Sequence, residues 1–409
     1  MTEQNWAGSY TYRARSIHRP DTVDAVRRIV AQVPKVRALG SRHSFHDLPD
    51  STGELISLEA LPRSVRLDTE NRTVTVSAGT LYGDLATELH RAGWALGAMA
   101  SLPHIAVAGA IGTGTHGSGD RVGSLAAEVT GLTLIDPDGE LRTLAADDPD
   151  LPGAVVHLGA LGVLTEVTLR MEPTYEVAQY VVDDVPWEYV LTELDALTSA
   201  AYSVSIFARW NAPTVQVWLK SRDGEAGLPV GTPARHKAHP GGRDPVNCTD
   251  QLGEPGAWYD RLPHFRMGFT PSSGREIQAE YLLPRTHAVA AFEALRELGP
   301  IIAPLLQACE IRTVAADELW LSGSYARDTV AIHFTLAPEP VKVTALLGRI
   351  EEALAGLEAR PHWGKWFTTP AAAIAGMYPR MADFRALVRR YDPAGKFSNA
   401  FLQRVVLGE

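Results

Sequence analysis

A glycine-rich segment at residues 107–120, VAGAIGTGTHGSGD, constrains the fold of this chain more than any other stretch. Glycine recurs within it at five positions: Gly109, Gly112, Gly114, Gly117 and Gly119. Because glycine carries no Cβ, the backbone can approach a ligand closely. Its N–H groups, with the threonine and serine hydroxyls between them, suit the oxygens of a pyrophosphate. The segment is therefore predicted to be a loop that binds a phosphate-containing ligand.

Two other interpretations of this segment stay open. The residues from Gly112 to Gly117 also read as G-x-G-x-x-G with Asp136 about 20 residues further along, which is the pattern of a nicotinamide dinucleotide site. Such a glycine turn opens a long helix at once, whereas residues 118–123, SGDRVG, add two more glycines before a helix could begin. The remaining interpretation is a flexible loop that binds no ligand.

A second small polar loop suited to phosphate, LGSRHSFHDL at residues 39–48, follows a predicted helix and strand. Asp21 is expected to cap the helix, whose valine and isoleucine residues recur at helical spacing until Pro34 ends it. Residues 35–39 are predicted to form the strand that leads into the loop.

The histidines of the chain raise the alternative of a metal site. His43 and His46 lie three residues apart in the second loop, and His104 and His116 form another candidate pair. Neither pair belongs to an H-E-x-x-H motif, and the two cysteines exclude a Cys-rich site. No bound metal is therefore expected.

Length and composition indicate an ordinary globular protein with two cores. The 409 residues are 45% hydrophobic and 21% charged, which suffices for two domains. The net charge of -10 and the dispersed lysine and arginine residues argue against a nucleic-acid partner. The chain also lacks an apolar signal segment and any apolar run long enough to span a bilayer, so a cytoplasmic protein is expected.

The sequence pattern changes near Pro173, where we place a domain boundary. Before it, the patterns predict strands, a helix and a hairpin at residues 72–79, 81–93, 129–144 and 158–171. From Pro173 to residue 367, strand-like alternations are separated by loops rich in proline and glycine, which is typical of a mixed sheet with covering helices. Residues 382–402 are predicted to be helical up to Tyr391 and then to form a loop.

Polar residues recur within the apolar strands of this second block. Three strands carry pairs of polar residues two positions apart: Glu310 and Arg312, His333 and Thr335, and Gln278 and Glu280. In a fourth segment, Lys365 lies among bulky aromatic residues. Side chains two apart on a strand share a face, and any single pair fits a sheet with one solvated face. Together they supply complementary donors and acceptors, which favours a polar pocket for a hydroxylated ligand.

Six separated stretches resemble the alditol oxidases, also called xylitol or sorbitol oxidases, of the vanillyl-alcohol-oxidase-type (VAO) flavoprotein superfamily. They are GSRHSF (40–45), ASLPHIAVAGAIGTGTHGSG (100–119), EIRTVAAD (310–317), AIHFT (331–335), RPHWGKWF (360–367) and DPAGKFSNAF (392–401). The similarity runs from Asn5 to Phe401. Six motifs in the same order are more specific than the glycine pattern alone.

This resemblance implies an α+β flavoprotein of two domains. Residues 1–172 would form an FAD-binding domain of the PCMH or VAO type, completed by the C-terminal segment 368–409. Residues 173–367 would form a mixed-sheet cap domain that covers the flavin ring and binds the substrate.

The resemblance also implies FAD attached covalently through His43. In the family, the histidine of the Gly-Ser-x-His-Ser loop is joined to the 8α-methyl carbon of the flavin, and His46 lies outside this motif. The family usually has a small residue, often glycine, where this chain has Arg42. Arginine could disfavour a left-handed turn there, or add a cation beside the pyrophosphate. The other implied flavin contacts are Gly40, Ser41, Arg42, Ser44, Ser101, Gly109, Thr113, Gly114, His116 and Gly117.

The implied activity is oxidation of the terminal C1 hydroxyl of polyols such as xylitol and sorbitol to the aldose, by hydride transfer to flavin N5, with oxygen reduced to hydrogen peroxide. The implied substrate and catalytic residues are Glu310, Arg312, His333, Thr335 and Lys365, with Gln278 and Ser101 as weaker additions. Arg312 and Lys365 are expected to stabilise a developing alkoxide, and Glu310 to orient Arg312. Lys365 is the better candidate for the base, because neighbouring rings would lower its pKa. These rings are Trp363, Trp366 and Phe367.

Other functions stay open from the sequence alone. The HWGK segment also resembles the aldonolactone oxidases, which act on gulono-, galactono- or arabinono-lactones. A nicotinamide-dependent polyol dehydrogenase, a histidine-metal enzyme and a non-enzymatic polyol-binding protein are more distant alternatives. The expected partners are a small polyol and O2, without nucleic acid or membrane, and the protein is expected to be a monomer.

Overall fold

The N-terminal part of the chain builds three small sheets. The computed structural model describes residues 3–222, 224–269 and 275–408. The strands up to residue 173 are β1 (Ser16–His18), β2 (Val36–Leu39), β3 (Glu54–Ser57), β4 (Val65–Asp68), β5 (Thr73–Ser77), β6 (Trp94–Ala95), β7 (Val129–Ile135), β8 (Leu141–Leu144), β9 (Val163–Arg170) and β10 (Glu172–Pro173). A parallel sheet has the order β1-β3-β2, an antiparallel sheet has the order β4-β5-β9-β7-β8, and β10 pairs with β6. The predicted strands and the hairpin of this part are confirmed.

Helices fill the spaces between these sheets. They are α1 (Val23–Gln32), α2 (Tyr82–Arg91), α3 (Val107–Gly112) and α4 (Leu151–Ala154). Val26 and Val30 of α1 are buried, as the helical spacing predicts. The cap prediction is wrong by one residue, because the hydroxyl of Thr22, and not Asp21, accepts the N–H of Ala25 at 3.2 Å.

The second part of the chain forms one large sheet. Its strands are β11 (Glu176–Pro186), β12 (Ser203–Phe207), β13 (Thr214–Ser221), β14 (Thr232–Pro233), β15 (Gly256–Ala257), β16 (Ile277–Pro284), β17 (Leu306–Val314), β18 (Thr329–Leu336) and β19 (Arg360–Pro361). The order is β14-β11-β13-β12-β17-β18-β16-β19, with β15 paired to β11. Every strand pair described in this sheet is antiparallel, so the α+β class is confirmed but the predicted mixed sheet is wrong.

One face of the large sheet is apolar, and the other is polar along the neighbouring strands β16, β17 and β18. The helices α5 (Trp187–Thr192), α6 (Leu194–Thr198), α7 (Ala288–Glu297), α8 (Gly299–Ile302) and α9 (Pro340–Ala353) contribute apolar side chains to the core on one face. Ile311, Ile332 and Ala279 project into that core from the three central strands. Strand alternation therefore directs the polar residues between them to the opposite face.

The C-terminal segment returns to the N-terminal core. Its helices are α10 (Ala371–Met377) and α11 (Met381–Tyr391), and α11 ends at Tyr391 as predicted. A π-helix spans Leu402–Leu407, which overlaps the predicted loop only at Leu402. Phe384, Phe401 and Val406 belong to the same apolar cluster as the N-terminal sheets. The domain boundaries themselves stay predictions. Short 3-10 turns occur at Leu125–Glu128, Pro245–Asn247, Trp258–Asp260 and Arg285–His287. In the described part of the chain, no helix has the length and apolar character needed to cross a membrane.

Candidate active site

A cavity of about 570 Å³ lies between the N-terminal loops and the polar face of the large sheet. It brings together all but two of the residues predicted for the site: Gly40, Ser41, Arg42, His43, Ser44, Ser101, Gly109, Thr113, His116, Gln278, Glu310, Arg312, His333, Thr335 and Lys365. The motifs that the sequence places far apart therefore meet around one space.

The two predicted flavin residues that do not line the cavity are Gly114 and Gly117. Gly114 has φ 70°, a left-handed conformation that favours glycine. A Cβ on Gly117 would lie 2.7 Å from the carbonyl oxygen of Met99. These two glycines allow a tight turn and a close backbone approach, whereas Gly112 and Thr115 of the same segment line the cavity.

Contacts between the two predicted loops shape the cofactor side of the cavity. The Ser41 hydroxyl accepts the N–H of Ala106 at 3.1 Å, just before α3. The backbones of Gly40 and Gly109 are in contact, since a Cβ added to Gly40 would lie 3.7 Å from the Gly109 Cα. A Cβ on Gly109 would meet nothing within 4 Å, so open space lies in front of this helix. The glycine-rich segment is thus partly helical, which the sequence did not predict.

His43 faces this space as a neutral imidazole. Burial, together with the nearby charge of Lys365, lowers the pKa of His43 to about 4. The ring stacks on Trp6 with 4.8 Å between centroids, and Nδ1 lies 3.0 Å from the carbonyl oxygen of Ser41. Nε2 has no hydrogen-bond partner among the described residues. A neutral imidazole with an unpaired nitrogen in a glycine-walled cavity fits a flavin cofactor bound beside this residue.

His46 lies outside the cavity lining and is held by other contacts. Its ring stacks on Phe401 at 4.5 Å, and its Nδ1 accepts the N–H of Leu48 at 3.1 Å. No group of three or more histidine, cysteine or carboxylate side chains within residues 3–222, 224–269 and 275–408 is placed to hold a metal ion.

Arg42 adopts a left-handed conformation, which arginine was expected to disfavour at this position. Its φ is 65°, which is costly for a residue with a Cβ. The guanidinium pairs with Glu3 at 2.8 Å and lies 3.6 Å from Glu59, and the Arg42 carbonyl accepts the N–H of Trp6 at 2.9 Å. These contacts direct its charge towards carboxylates of this chain.

Glu280 organises the polar face opposite these loops. Strand register places Glu280, His333 and Glu310 side by side on β16, β18 and β17. The Glu280 carboxylate lies 2.5 Å from Arg312, 3.0 Å from His116 Nε2 and 3.4 Å from His333 Nδ1. The charge of Arg312 holds the Glu280 pKa well below its ordinary value despite burial. Glu310 Oε1 lies 3.7 Å from Arg312 Nε, so Glu280 makes the close contact that was predicted for Glu310.

Lys365 lies at the edge of the polar face. Its ammonium group donates to the side-chain oxygen of Gln278 and lies 5.2 Å from the centroid of the Phe45 ring. Burial lowers its pKa to about 8. The two neighbouring indoles make other contacts. Trp363 donates to the Leu321 carbonyl oxygen at 2.7 Å, and Trp366 packs on the core of the large sheet. The pKa is lowered as predicted, and the structure places the Phe45 ring near the ammonium group.

Sequence patterns missed two buried residues of the network and gave a third no role. Glu280 was singled out with Gln278 by alternation but was not among the predicted site residues. His264 lies in a loop and Lys220 lies near the end of β13, and neither was predicted from the sequence. His264 Nε2 nevertheless lies 2.7 Å from Glu310 Oε1, and Lys220 Nζ lies 3.0 Å from His264 Nδ1.

Sequence comparisons match both parts of this chain. The FAD binding domain family matches residues 14–145, and the D-arabinono-1,4-lactone oxidase family matches residues 270–405. An alditol oxidase from Streptomyces sp. is 47% identical over 99% of this chain and 99% of its own length. An L-gulono-1,4-lactone dehydrogenase from Mycobacterium tuberculosis is 28% identical over 98% of each chain. An L-gulonolactone oxidase from Bos taurus is 26% identical over 98% of this chain and 97% of its own.

A solved structure shares the fold at lower identity. The crystal structure of a cholesterol oxidase from B. sterolicum has a TM-score of 0.80 at 16% identity, and the match covers 99% of this chain and 96% of that one. At this identity the likeness concerns the fold alone. The full-length identity of 47% and the FAD-binding match decide the family. The chain belongs to the alditol oxidase family of FAD-dependent oxidoreductases, within the VAO-type flavoproteins.

Proposed function

We propose that this protein is an FAD-dependent alditol oxidase that converts the terminal hydroxyl of an acyclic polyol, such as xylitol or sorbitol, to the aldose. The observation that carries the proposal is the row of hydrogen-bonding side chains on the sheet face opposite His43. Glu310, His333, Thr335 and Gln278 line one cavity with Lys365. A polyol carries a hydroxyl on every carbon, so it matches such a row of donors and acceptors.

The chain supplies binding groups and charge, and FAD supplies the redox chemistry. When bound, FAD accepts a hydride from the substrate carbon and is reoxidised by O2, which yields hydrogen peroxide. Arg312 and Lys365 stabilise negative charge on the reacting oxygen, and each preorganised donor of this kind contributes on the order of 3 kcal/mol. Lys365, with its pKa lowered to about 8, is the group that accepts the hydroxyl proton.

We infer that His43 holds FAD covalently. A neutral imidazole is a nucleophile at ordinary pH, and His43 combines a lowered pKa with an unpaired ring nitrogen facing the cofactor side. Ser41, Ser101, Gly109 and Thr113 line the cavity as further flavin contacts. Acid precipitation tests the bond, because a covalent flavin stays in the yellow pellet. A yellow supernatant above a colourless pellet would contradict it.

Substrate assays test the proposed activity. Purified protein is expected to consume O2 and form hydrogen peroxide with xylitol and sorbitol, and to give little activity with L-gulono-1,4-lactone. The lactone is the informative comparison, because the D-arabinono-1,4-lactone oxidase family matches residues 270–405. Higher efficiency with the lactone than with xylitol would overturn the proposal in favour of an aldonolactone oxidase.

Paired variants test the proposed catalytic cations. Lys365→Met and Arg312→Ala should each slow anaerobic flavin reduction by xylitol by at least 100-fold. The matched controls are Lys342→Met and Arg349→Ala, whose side chains on α9 are 68% and 62% exposed. Wild-type reduction rates in Lys365→Met or Arg312→Ala would show that the assignments are wrong.

The proposed cytoplasmic location and monomeric state stay predictions from the sequence. Light scattering on the purified holoenzyme measures the molar mass directly. A mass near 44.3 kDa, that of a single chain, would support the monomer.

A further inference from the structure

A buried chain of three side chains leads from the cavity into the interior of the protein: Glu310 and His264 line the cavity, and Lys220 lies beyond His264. Glu310 Oε1 lies 2.7 Å from His264 Nε2, and His264 Nδ1 lies 3.0 Å from Lys220 Nζ. Lys220 is 1% exposed, His264 is 4% exposed and Glu310 is 6% exposed. The three residues come from β13, a loop and β17, so only the folded chain brings them together.

Hydrogen-bond chemistry fixes the direction of this chain. When His264 carries its proton on Nε2, its Nδ1 can only accept, so Lys220 donates an N–H to Nδ1. An ionised carboxylate has only acceptors, and the charge of Arg312 keeps the Glu310 pKa far below its ordinary value. His264 therefore carries its proton on Nε2 and donates it to Glu310. Each side chain determines how the next one can bond.

The same loop is tied to the cofactor side of the cavity. The Lys220 ammonium group also donates to the carbonyl oxygen of Leu262. Two residues later, the backbone N–H of His264 donates to the carbonyl oxygen of Ser101 at 3.1 Å. The His264 ring packs against Trp218 at 5.1 Å between centroids. The loop thus connects Glu310 on the sheet with Ser101 on the opposite wall.

Burial makes this arrangement unusual for a purely structural element. Lys220 is fully buried, yet its closest polar contacts are a carbonyl oxygen and an imidazole, both neutral. Isolated buried charges of this kind oppose folding unless they are neutralised, and an apolar side chain of similar size is commonly as stable or more stable. Burial accordingly lowers the pKa of Lys220 to about 7. A role in holding the site explains why the charge is placed there.

We propose that His264 and Lys220 are positioning residues that hold the Glu310 carboxylate in the orientation needed to bind a substrate hydroxyl. Lys220 acts through His264 by fixing its tautomer, and His264 acts through the Nε2–H donor that reaches Glu310. Lys220 does not line the cavity, whereas His264 does, so Lys220 reaches the site only through His264. This inference rests on the proposed function, because it takes Glu310 to be a polyol ligand.

Two isosteric replacements of His264 separate positioning from bulk. Glutamine places an amide N–H where the histidine has Nε2, whereas asparagine places its amide group where the histidine has Nδ1. His264→Gln should stay within about threefold of the wild-type rate of anaerobic flavin reduction by xylitol. His264→Asn should lose about 10- to 100-fold, because small displacements of a binding group have effects of this size.

Lys220→Met tests whether the lysine acts through the histidine. It should be as stable as the wild type to urea but show the same loss as His264→Asn. The double variant Lys220→Met/His264→Asn should lose no more than either single variant, since both break one chain. Equal rates for His264→Gln and His264→Asn, or additive losses in the double variant, would overturn the proposal.

Histidine NMR provides a test that does not depend on turnover. In ¹⁵N-histidine-labelled holoenzyme, with the His264 signal identified by its loss in His264→Gln, the proposal requires the Nε2–H tautomer. Lys220→Met should raise the pKa of His264, because it removes the neighbouring positive charge, so that Nδ1 becomes protonated at a higher pH than in the wild type. A proton on Nδ1, or on both nitrogens, in the wild type would contradict the proposal even if the variants fold poorly. Failure of xylitol to reduce the wild-type flavin would instead refute the proposed function and leave the NMR result to decide the positioning pair.

Discussion

Glu280→Gln would remove the charge that neutralises Arg312 while keeping the shape of the side chain. Glu280 is 2% exposed and its carboxylate lies 2.5 Å from the Arg312 guanidinium. Breaking a buried ion pair costs about 3–5 kcal/mol, because the remaining charge stays buried without its partner. Glu310, 3.7 Å from Arg312 Nε, offsets part of this loss. We therefore expect about 3 kcal/mol lower stability for Glu280→Gln.

A matched carboxylate on the other side of the sheet provides the control. Glu351 on α9 accepts hydrogen bonds from the Tyr281 hydroxyl and the Thr368 N–H, both at 2.8 Å. These donors are neutral, so an amide can replace the carboxylate at a cost of about 1 kcal/mol. Glu351→Gln should therefore lose much less stability than Glu280→Gln, although both substitutions remove one negative charge.

The stabilisation by ionised Glu280 should decrease as the pH falls. The Glu280 pKa is held well below its ordinary value in the folded protein, while in the unfolded chain it is about 4.3. The stabilisation is therefore fully present above about pH 4.3 and is lost as the pH falls towards the folded-state pKa. Urea unfolding at several pH values measures the free energy of unfolding of the wild type and of Glu280→Gln. A difference between wild type and Glu280→Gln below 1 kcal/mol at pH 7, or one that grows in acid, would refute the reasoning.

Three further predictions concern other residues of the site. If Lys365 is the base, the anaerobic rate of flavin reduction should rise with pH through an inflection near its pKa of about 8, and Lys365→Met should abolish that inflection in stopped-flow measurements. Because position 42 has a φ of 65°, Arg42→Gly should be about 1 kcal/mol more stable to urea than Arg42→Ala, whereas alanine is usually the more stabilising of the two residues. Equal stabilities would show that this φ carries no strain. His43→Ala should release flavin into the supernatant on acid precipitation, whereas His46→Ala should keep it in the pellet; a yellow pellet from His43→Ala would place the bond elsewhere.

The polar face of the large sheet could be predicted because it depends on local alternation. Glu310 and Arg312, two apart on one strand, must share a face whatever the rest of the fold does. The pairing of Glu280 with Arg312 depends instead on how β16, β18 and β17 align, and this register is a property of the whole sheet. The sequence therefore indicated the right surface but named only the more distant of the two carboxylates that pair with Arg312.

Other features depended on tertiary contacts that leave no periodic signal. His264 and Lys220 are isolated in sequence, and only burial against Glu310 gives them a role. Helix α3 forms within the glycine-rich segment because Val107 and Ile111 are buried in the core, which outweighs the low helix propensity of glycine. The predicted Asp21 cap is wrong by one residue, since Thr22 is also a common capping residue and helix boundaries vary by one or two positions.

Oxidation at the terminal carbon of a polyol is the central claim, and the isotope effect on a single reduction of the enzyme tests it most directly. Wild-type enzyme is mixed anaerobically with saturating sorbitol, either unlabelled or deuterated at both C1 positions, and the loss of flavin absorption is followed in a stopped-flow instrument. We expect several-fold slower reduction by the deuterated substrate, because the C1–H bond breaks in the observed step. Equal rates with the two substrates, or no reduction by either, would contradict it.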